Sequence, residues 1–151
     1  MTRMSDRRFV WGLRVVAGVV GVLSLALASQ AELSPREYRR MQREAPEEVR
    51  IEVLRVGEAP VPQRPREREI IVEAKVLRIG RSAARIHEGE AIKIVYRHYR
   101  GERELAGPGE PPLLQRGQTY PAFLTKVEGE RRVFSPAAGR FSFERLEERR
   151  P

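Results

Sequence analysis

Apolar and polar residues alternate with a period of two along three stretches of this chain, and that pattern predicts strands. In the first stretch Val49, Ile51 and Val53 alternate with Arg50 and Glu52, after which Leu54 and Val56 continue on the opposite phase. The second repeats it almost letter for letter: Val72, Ala74 and Val76 are followed by Leu77 and Ile79, so Val49–Gly57 and Val72–Gly80 share the pattern V-x-[IA]-x-V-L-R-[VI]-G. A strand whose buried face switches midway needs a bulge or a sharp coil, the device that bends a strand around a small barrel. The third runs from Ala91 to Tyr99, with Ile92, Ile94 and Tyr96 on one face. Thr119–Val127, the turn Glu128-Gly129-Glu130 and Arg132–Ser135 read as a hairpin, and Phe141 with Phe143 as a last short edge strand.

Only one segment ahead of the strands has helical spacing. Ser34-Pro35-Arg36-Glu37 places a hydroxyl at the N-cap, proline at the first helical position and a carboxylate three residues after the cap. A helix is expected from Pro35 to Ala45, stopped by Pro46, with Tyr38, Met41 and Ala45 as its apolar stripe. Residues 58–69, with Pro60, Pro62 and Pro65, read as a surface loop, and Gly101–Gly117 as a long Gly/Pro loop. The expected fold is mainly β: a small OB-like, mostly antiparallel barrel of five or six strands over residues 48–143, with one short N-terminal helix. A β-sandwich is the runner-up. The alternation places Val49, Ile51, Val53, Val72, Ala74, Val76, Ile92, Ile94, Tyr120, Ala122 and Leu124 in the core.

The first 31 residues have the three-part layout of a secretory signal peptide. Arg3, Arg7 and Arg8 precede an apolar run from Val15 to Ala28, and Ser29-Gln30-Ala31 supplies a small-x-small triplet. Cleavage is expected between Ala31 and Glu32, leaving a soluble periplasmic or extracellular protein; if Phe9 onward is counted in, the stretch reaches the roughly 20 residues of an uncleaved membrane anchor. Residues 32–47 then form the helix segment and residues 144–151 a charged tail.

Composition narrows the chemistry. The 151 residues contain no Cys, one Asp (Asp6) and no Asn, which excludes thiolate metal sites, thiol nucleophiles and disulfide scaffolds and leaves Glu as the only carboxylate beyond the leader. Removing Arg3, Arg7, Arg8, Arg14 and Asp6 lowers the formal charge from +8 to +5, spread through an Arg/Glu mixture rather than concentrated as a nucleic-acid footprint. His87 and His98 have no partner at metal-ligand spacing, and Gly107-Pro108-Gly109 has no Lys-Ser/Thr after it to make a phosphate loop. These absences predict a protein that is not an enzyme and holds neither metal nor cofactor. A hydrolase using two glutamates stays open as an alternative.

Two stretches carry binding chemistry. In the first, Arg97, His98, Tyr99 and Arg100, with Tyr120 across the barrel, interleave cations and aromatics as OB barrels do on their binding face. In the second, Arg36, Arg40 and Arg43 share one face of the helix and suit an acidic polymer or an anionic lipid surface. A protein partner engaged by the 101–118 loop is the favoured reading, because +5 diluted among many carboxylates is a weak field unless folding gathers a patch.

Between Ile70 and Phe134 the order of elements resembles a known family. An A-K-V strand, a loop ending Glu88-Gly89-Glu90, an I-K-I-V-Y strand, a Gly-Pro loop and Leu114-Gln115-Arg116-Gly117-Gln118-Thr119-Tyr120 are similar to the netrin-like domains, the OB-type barrels that include the N-terminal part of tissue inhibitors of metalloproteinases. The resemblance implies the barrel fold. Protease inhibition in that family rests on cysteines, one of them amino-terminal, and this chain has none. The layout also resembles that of small secreted bacterial proteins, which implies a location and no activity.

Overall fold

Ser34 caps the first helix with both halves of a capping box. Its Oγ accepts from the Glu37 amide at 3.3 Å, and its own amide donates to Glu37 Oε2 at 2.8 Å. Pro35, which has no amide to lose, opens α1 (Pro35–Glu44), one residue shorter than the spacing predicts. The computed structural model describes residues 33–101 and 108–147. The expected leader, its Ala31–Glu32 cleavage site and the end of the C-terminal tail lie outside them.

Five strands follow: β1 (Glu47–Val61), β2 (Arg64–Ser82), β3 (Ala91–Tyr99), β4 (Thr119–Lys126) and β5 (Val133–Pro136). They hydrogen-bond in the order β1-β2-β3-β5-β4, and β4 returns to β1 over residues 47–52, so the sheet closes into a ring. All pairings are antiparallel except the short β3–β5 contact, where Lys93 and Ile94 lie beside Val133 and Phe134. The mainly β class with one helix agrees with the alternation read above.

Both phase flips are β-bulges. Val53 pairs with Ala74 and Arg55 with Glu73, leaving Leu54 as the extra residue; Ile51 pairs with Val76 and Arg50 with Arg78, leaving Leu77. Each extra leucine stands out of the ladder, 43% and 39% exposed, and the strand resumes with Val56 and Ile79 packed against the core.

The ring encloses Val49, Ile51, Val53, Val72, Ala74, Val76, Ile92, Ile94, Ala122 and Leu124, all buried, with Tyr120 half-buried against them. Ile70, Ile86, Leu114, Phe134 and Phe143 join this core from positions that alternation alone does not single out. A second cluster lies outside the ring, where Ala45, Phe123 and Ala138 with half-buried Met41 seat α1 on the outer face of β4. Glu47 is the polar exception at the ring's rim. It is 1% exposed, with Oε1 accepting from the Ala84 amide at 2.8 Å.

Two expectations about loops are corrected. The proline-rich stretch 58–69 is not a loop: β1 and β2 continue through it as one long hairpin turning at Pro62-Gln63, where Gln63 has φ 62°. The β4 ladder ends at Glu52, so the rest of β1 has an edge on which no other strand of the described residues lies, and such an edge tolerates Pro60 without its amide. The edge strand expected at Phe141 and Phe143 is a 3-10 turn, Gly139–Phe141. Gly139 takes φ 51°, and the Ser142 hydroxyl accepts from the Ala138 amide at 2.9 Å while donating to Gly139 O at 2.7 Å, which curls the chain. Phe141 then meets the Tyr38 ring edge-on at 4.7 Å, and Phe143 enters the core beside Tyr96.

Candidate functional site

The β3 stretch sets its cations beside carboxylates. Arg97 reaches Glu67 at 3.6 Å and Arg100 reaches Glu58 at 2.7 Å, so both guanidiniums are engaged by carboxylates of the hairpin. His98 Nε2 lies 3.9 Å from Glu110, whose Oε2 also accepts from the Tyr99 amide at 3.1 Å. Arg66 donates to the Tyr99 hydroxyl at 3.4 Å. Tyr120 is not brought to this cluster: it pairs with Ile51 on the ring's far side, and its hydroxyl accepts from the Gln115 amide at 3.2 Å. The result is a neutralised patch that ties Glu110, and with it the chain from Pro108 onward, to the end of β3.

Tyr96, from the same strand, points inward. Its hydroxyl donates to Pro112 O at 2.9 Å, and burial pushes its pKa up to about 12. The group is held neutral and serves as a clasp between the core and the 112–118 segment.

The helix arginines separate. Arg36 is exposed and makes no described contact, and Arg40 lies 4.0 Å from Glu44 one turn on, a weak surface pair. Arg43 turns instead into a concavity of about 340 Å³ together with Arg39, Arg81, Arg145, Glu48 and Glu147. Arg81 is structural here. Its Nε donates to Ala45 O at 2.8 Å and its Nη2 to Gln42 O at 3.0 Å, a cation on the C-terminal carbonyls of α1. Its Nη1 lies 3.5 Å from Glu48, and the other oxygen of Glu48 pairs with Arg145, which also stands over the Phe123 ring at 5.6 Å.

A second concavity, about 310 Å³, shares Glu48 and Arg145 with the first and adds Arg50 and Arg78 over a floor that includes Val49, Ile79, Gly80 and Pro121. Arg50 and Arg78 are direct cross-strand partners, so two like charges face each other on the outer surface. No ion pair links Arg39, Arg50 or Arg78 to another described residue. The two concavities adjoin at Glu48 and Arg145, and we call the pair a groove; six arginines and two glutamates line it, drawn from α1, β1, β2 and the C-terminal segment. Gln42 holds that segment in place: its Nε2 donates to Phe141 O at 2.8 Å and Glu144 O at 2.5 Å, and its Oε1 accepts from the Leu146 amide at 3.2 Å.

Of the residues singled out in the sequence, only Arg43 belongs to this groove. Arg78 is the arginine of the second V-L-R repeat, matched by Arg55 in the first, while Arg50 stands at the position that Glu73 takes in the second, and only the β1–β2 register shows that Arg50 and Arg78 meet. Glu48 and Glu147 both border the groove, so two carboxylates flank a cavity. Glu48, however, is locked between two guanidiniums. Among the described residues no group of three or more metal-ligating side chains converges, and no helix is long and apolar enough to cross a membrane.

No family model matches this chain, and no curated protein matches it either.

Proposed function

We propose that this protein is an exported, non-enzymatic binding module in which an OB-like barrel presents an arginine groove to an anionic polymer. Two observations support the OB-like reading: the ring order β1-β2-β3-β5-β4 and the single parallel β3–β5 contact. The observation that carries the function is the gathering of Arg39, Arg43, Arg50, Arg78, Arg81 and Arg145 around Glu48 and Glu147. A net charge of +5 spread evenly would steer little; folded into one concave strip, the same charge focuses the field on an incoming polyanion. The strip is a groove, which suits an extended chain better than a flat bilayer. Export rests on the arginine-flanked apolar leader and its small-x-small triplet. A hydrolase is disfavoured because Glu48, the better-placed carboxylate, is tied to Arg81 and Arg145.

The test is retention of the purified chain on immobilised heparin, with vesicles of anionic lipid as a second arm. Retention that disappears by about 0.3 M salt, where screening shortens to about 5 to 6 Å, and that falls in Arg50→Gln/Arg78→Gln but not in Arg97→Gln/Arg100→Gln, is the expected result. Equal loss in both double variants, or preference for vesicles over soluble polymer, would overturn it. The protein-partner reading keeps one observation of its own, since Leu113 in the 108–118 segment is 48% exposed. Capture of an envelope protein that survives high salt and is lost in Leu113→Ser would favour it.

A further inference from the structure

Resting on the arginine-groove reading, we infer that the polymer is an acidic glycan whose charged sugars are separated by uncharged ones. The distribution of spare donors along the groove points this way. At one end Arg50 and Arg78 stand opposite each other, both exposed and neither in an ion pair with another described residue. At the other end Arg39 is likewise without an ion pair among the described residues. Between the two ends lies Glu48, which borders both concavities. Its side chain lies directly over Gly80, where a Cβ would come within 3.2 Å of Glu48 Cγ, Cδ and Oε1, so the absence of a side chain at Gly80 lets the carboxylate occupy the saddle.

The donors of Arg81 at that saddle are already used. Arg81 gives Nε and Nη2 to the Ala45 and Gln42 carbonyls and Nη1 to Glu48, and Arg145 turns toward the other Glu48 oxygen. An anionic unit lying there would lie against the Glu48 carboxylate and compete with it for the Arg145 guanidinium. A neutral unit would meet no such conflict, so the groove is matched to charge, gap, charge. A polymer with a charge on every unit is not matched.

The floor selects for rings. Pro121 has no amide and Gly80 no side chain, so under Arg50 and Arg78 the floor is low, and the proline ring there suits the C–H face of a sugar. A bound peptide would want main-chain partners. Across this face the amides and carbonyls of β1 are committed to β2 on one side and β4 on the other, while arginine and glutamate side chains remain for hydroxyl groups.

Calorimetric titration of the purified chain at 0.15 M salt with three probes of equal charge count tests this: a hyaluronan oligosaccharide with one carboxylate per disaccharide, polyphosphate, and poly-glutamate. The glycan is expected to bind about tenfold tighter than either of the others. Glu48→Gln is expected to strengthen polyphosphate binding about fivefold while changing glycan binding less than twofold. Polyphosphate or poly-glutamate binding as tightly as the glycan to the unmodified chain, a ranking that needs no variant, would overturn the inference while leaving the anionic groove standing. An equal effect of Glu48→Gln on all three probes would do the same. Absence of binding to every probe would overturn the groove reading with it.

Discussion

Arg50 on β1 and Arg78 on β2 are direct cross-strand partners, and neither guanidinium forms an ion pair with another described residue. Like charges in that relationship repel where opposite charges would attract, by a few tenths to about 1 kcal/mol at an exposed site. Arg78→Glu should therefore stabilise the fold, by about 0.5 kcal/mol in urea unfolding, with the gain shrinking as salt is added. The same variant should lose heparin retention. Stabilisation accompanied by loss of binding would mark a position where stability has been given up for function.

The groove also depends on a residue that carries no charge. Gln42 is 5% exposed and makes three hydrogen bonds to the main chain of the C-terminal segment. Gln42→Leu keeps the volume but strands the Phe141 and Glu144 carbonyls and the Leu146 amide, at a cost of about 2 to 3 kcal/mol in unfolding free energy. Because the bonds tie residues 141–146 to α1, limited proteolysis should clip the variant after Phe143 before the ring unfolds. Uniform resistance in both proteins would show that Gln42 does not hold the segment.

Much of the ring was legible because its signal is local. Alternation at Val49, Ile51 and Val53, and again at Val72, Ala74 and Val76, marks inward faces directly, and the flips at Leu54 and Leu77 mark the bulges. What alternation cannot carry is register. The meeting of Arg50 with Arg78 and the burial of Phe134 at a two-residue parallel contact depend on which strands become neighbours, which is decided by packing far along the chain. Proline density misled at residues 58–69 because proline reports a missing amide rather than a loop, and an open strand edge also tolerates one. The helix arginines misled for a similar reason. Arg36, Arg40 and Arg43 share a face by spacing, yet the C-terminal segment and β2 decide that Arg39 and Arg43 border a cavity and Arg36 does not.

The bulges make a sharp contrast between neighbours of equal hydrophobicity. Val53 and Val76 are buried, while Leu54 and Leu77, next in sequence, stand in solvent. Leu54→Glu and Leu77→Glu should each change stability by less than about 0.5 kcal/mol, whereas Val53→Ala and Val76→Ala should each cost about 2 kcal/mol. Thermal melts of the four variants check this, and large losses from the leucine changes would mean that the bulges are misplaced.

Tyr96 gives the fold a pH dependence at the alkaline end. Burial holds its pKa near about 12, against about 10 in the unfolded chain, so the folded state binds the phenolic proton more tightly. Stability from this source is complete below pH 10 and is lost as pH rises from about 10 to about 12, amounting to about 2 to 3 kcal/mol. Unfolding free energies measured at pH 9, 10.5 and 11.5 should fall accordingly. Tyr96→Phe should cost about 1 kcal/mol at neutral pH, through loss of the bond to Pro112 O, and should flatten the alkaline decline.

Gly139 is where substitution should do most damage for the smallest change. Its φ of 51° already disfavours a side chain, and a Cβ built there would lie 2.0 Å from the Pro108 carbonyl oxygen and 2.6 Å from Pro108 Cβ. That carbonyl accepts from the Arg140 amide at 3.0 Å, the contact that joins the start of the 108–118 segment to the 3-10 turn under α1. Backbone cannot rotate aside as a side-chain tip can, so Gly139→Ala must break the contact and push the two segments apart. Gly129→Ala is the matched control: φ is 77° there too, but nothing lies within 4 Å of the added methyl. It should cost about 1 kcal/mol from backbone strain alone, while Gly139→Ala should cost about 3 kcal/mol or more. Hydrogen exchange should separate the two mechanisms, with protection of the Arg140 amide lost in Gly139→Ala and retained in Gly129→Ala. Equal destabilisation by both variants would show that the Pro108 contact contributes nothing beyond the strain.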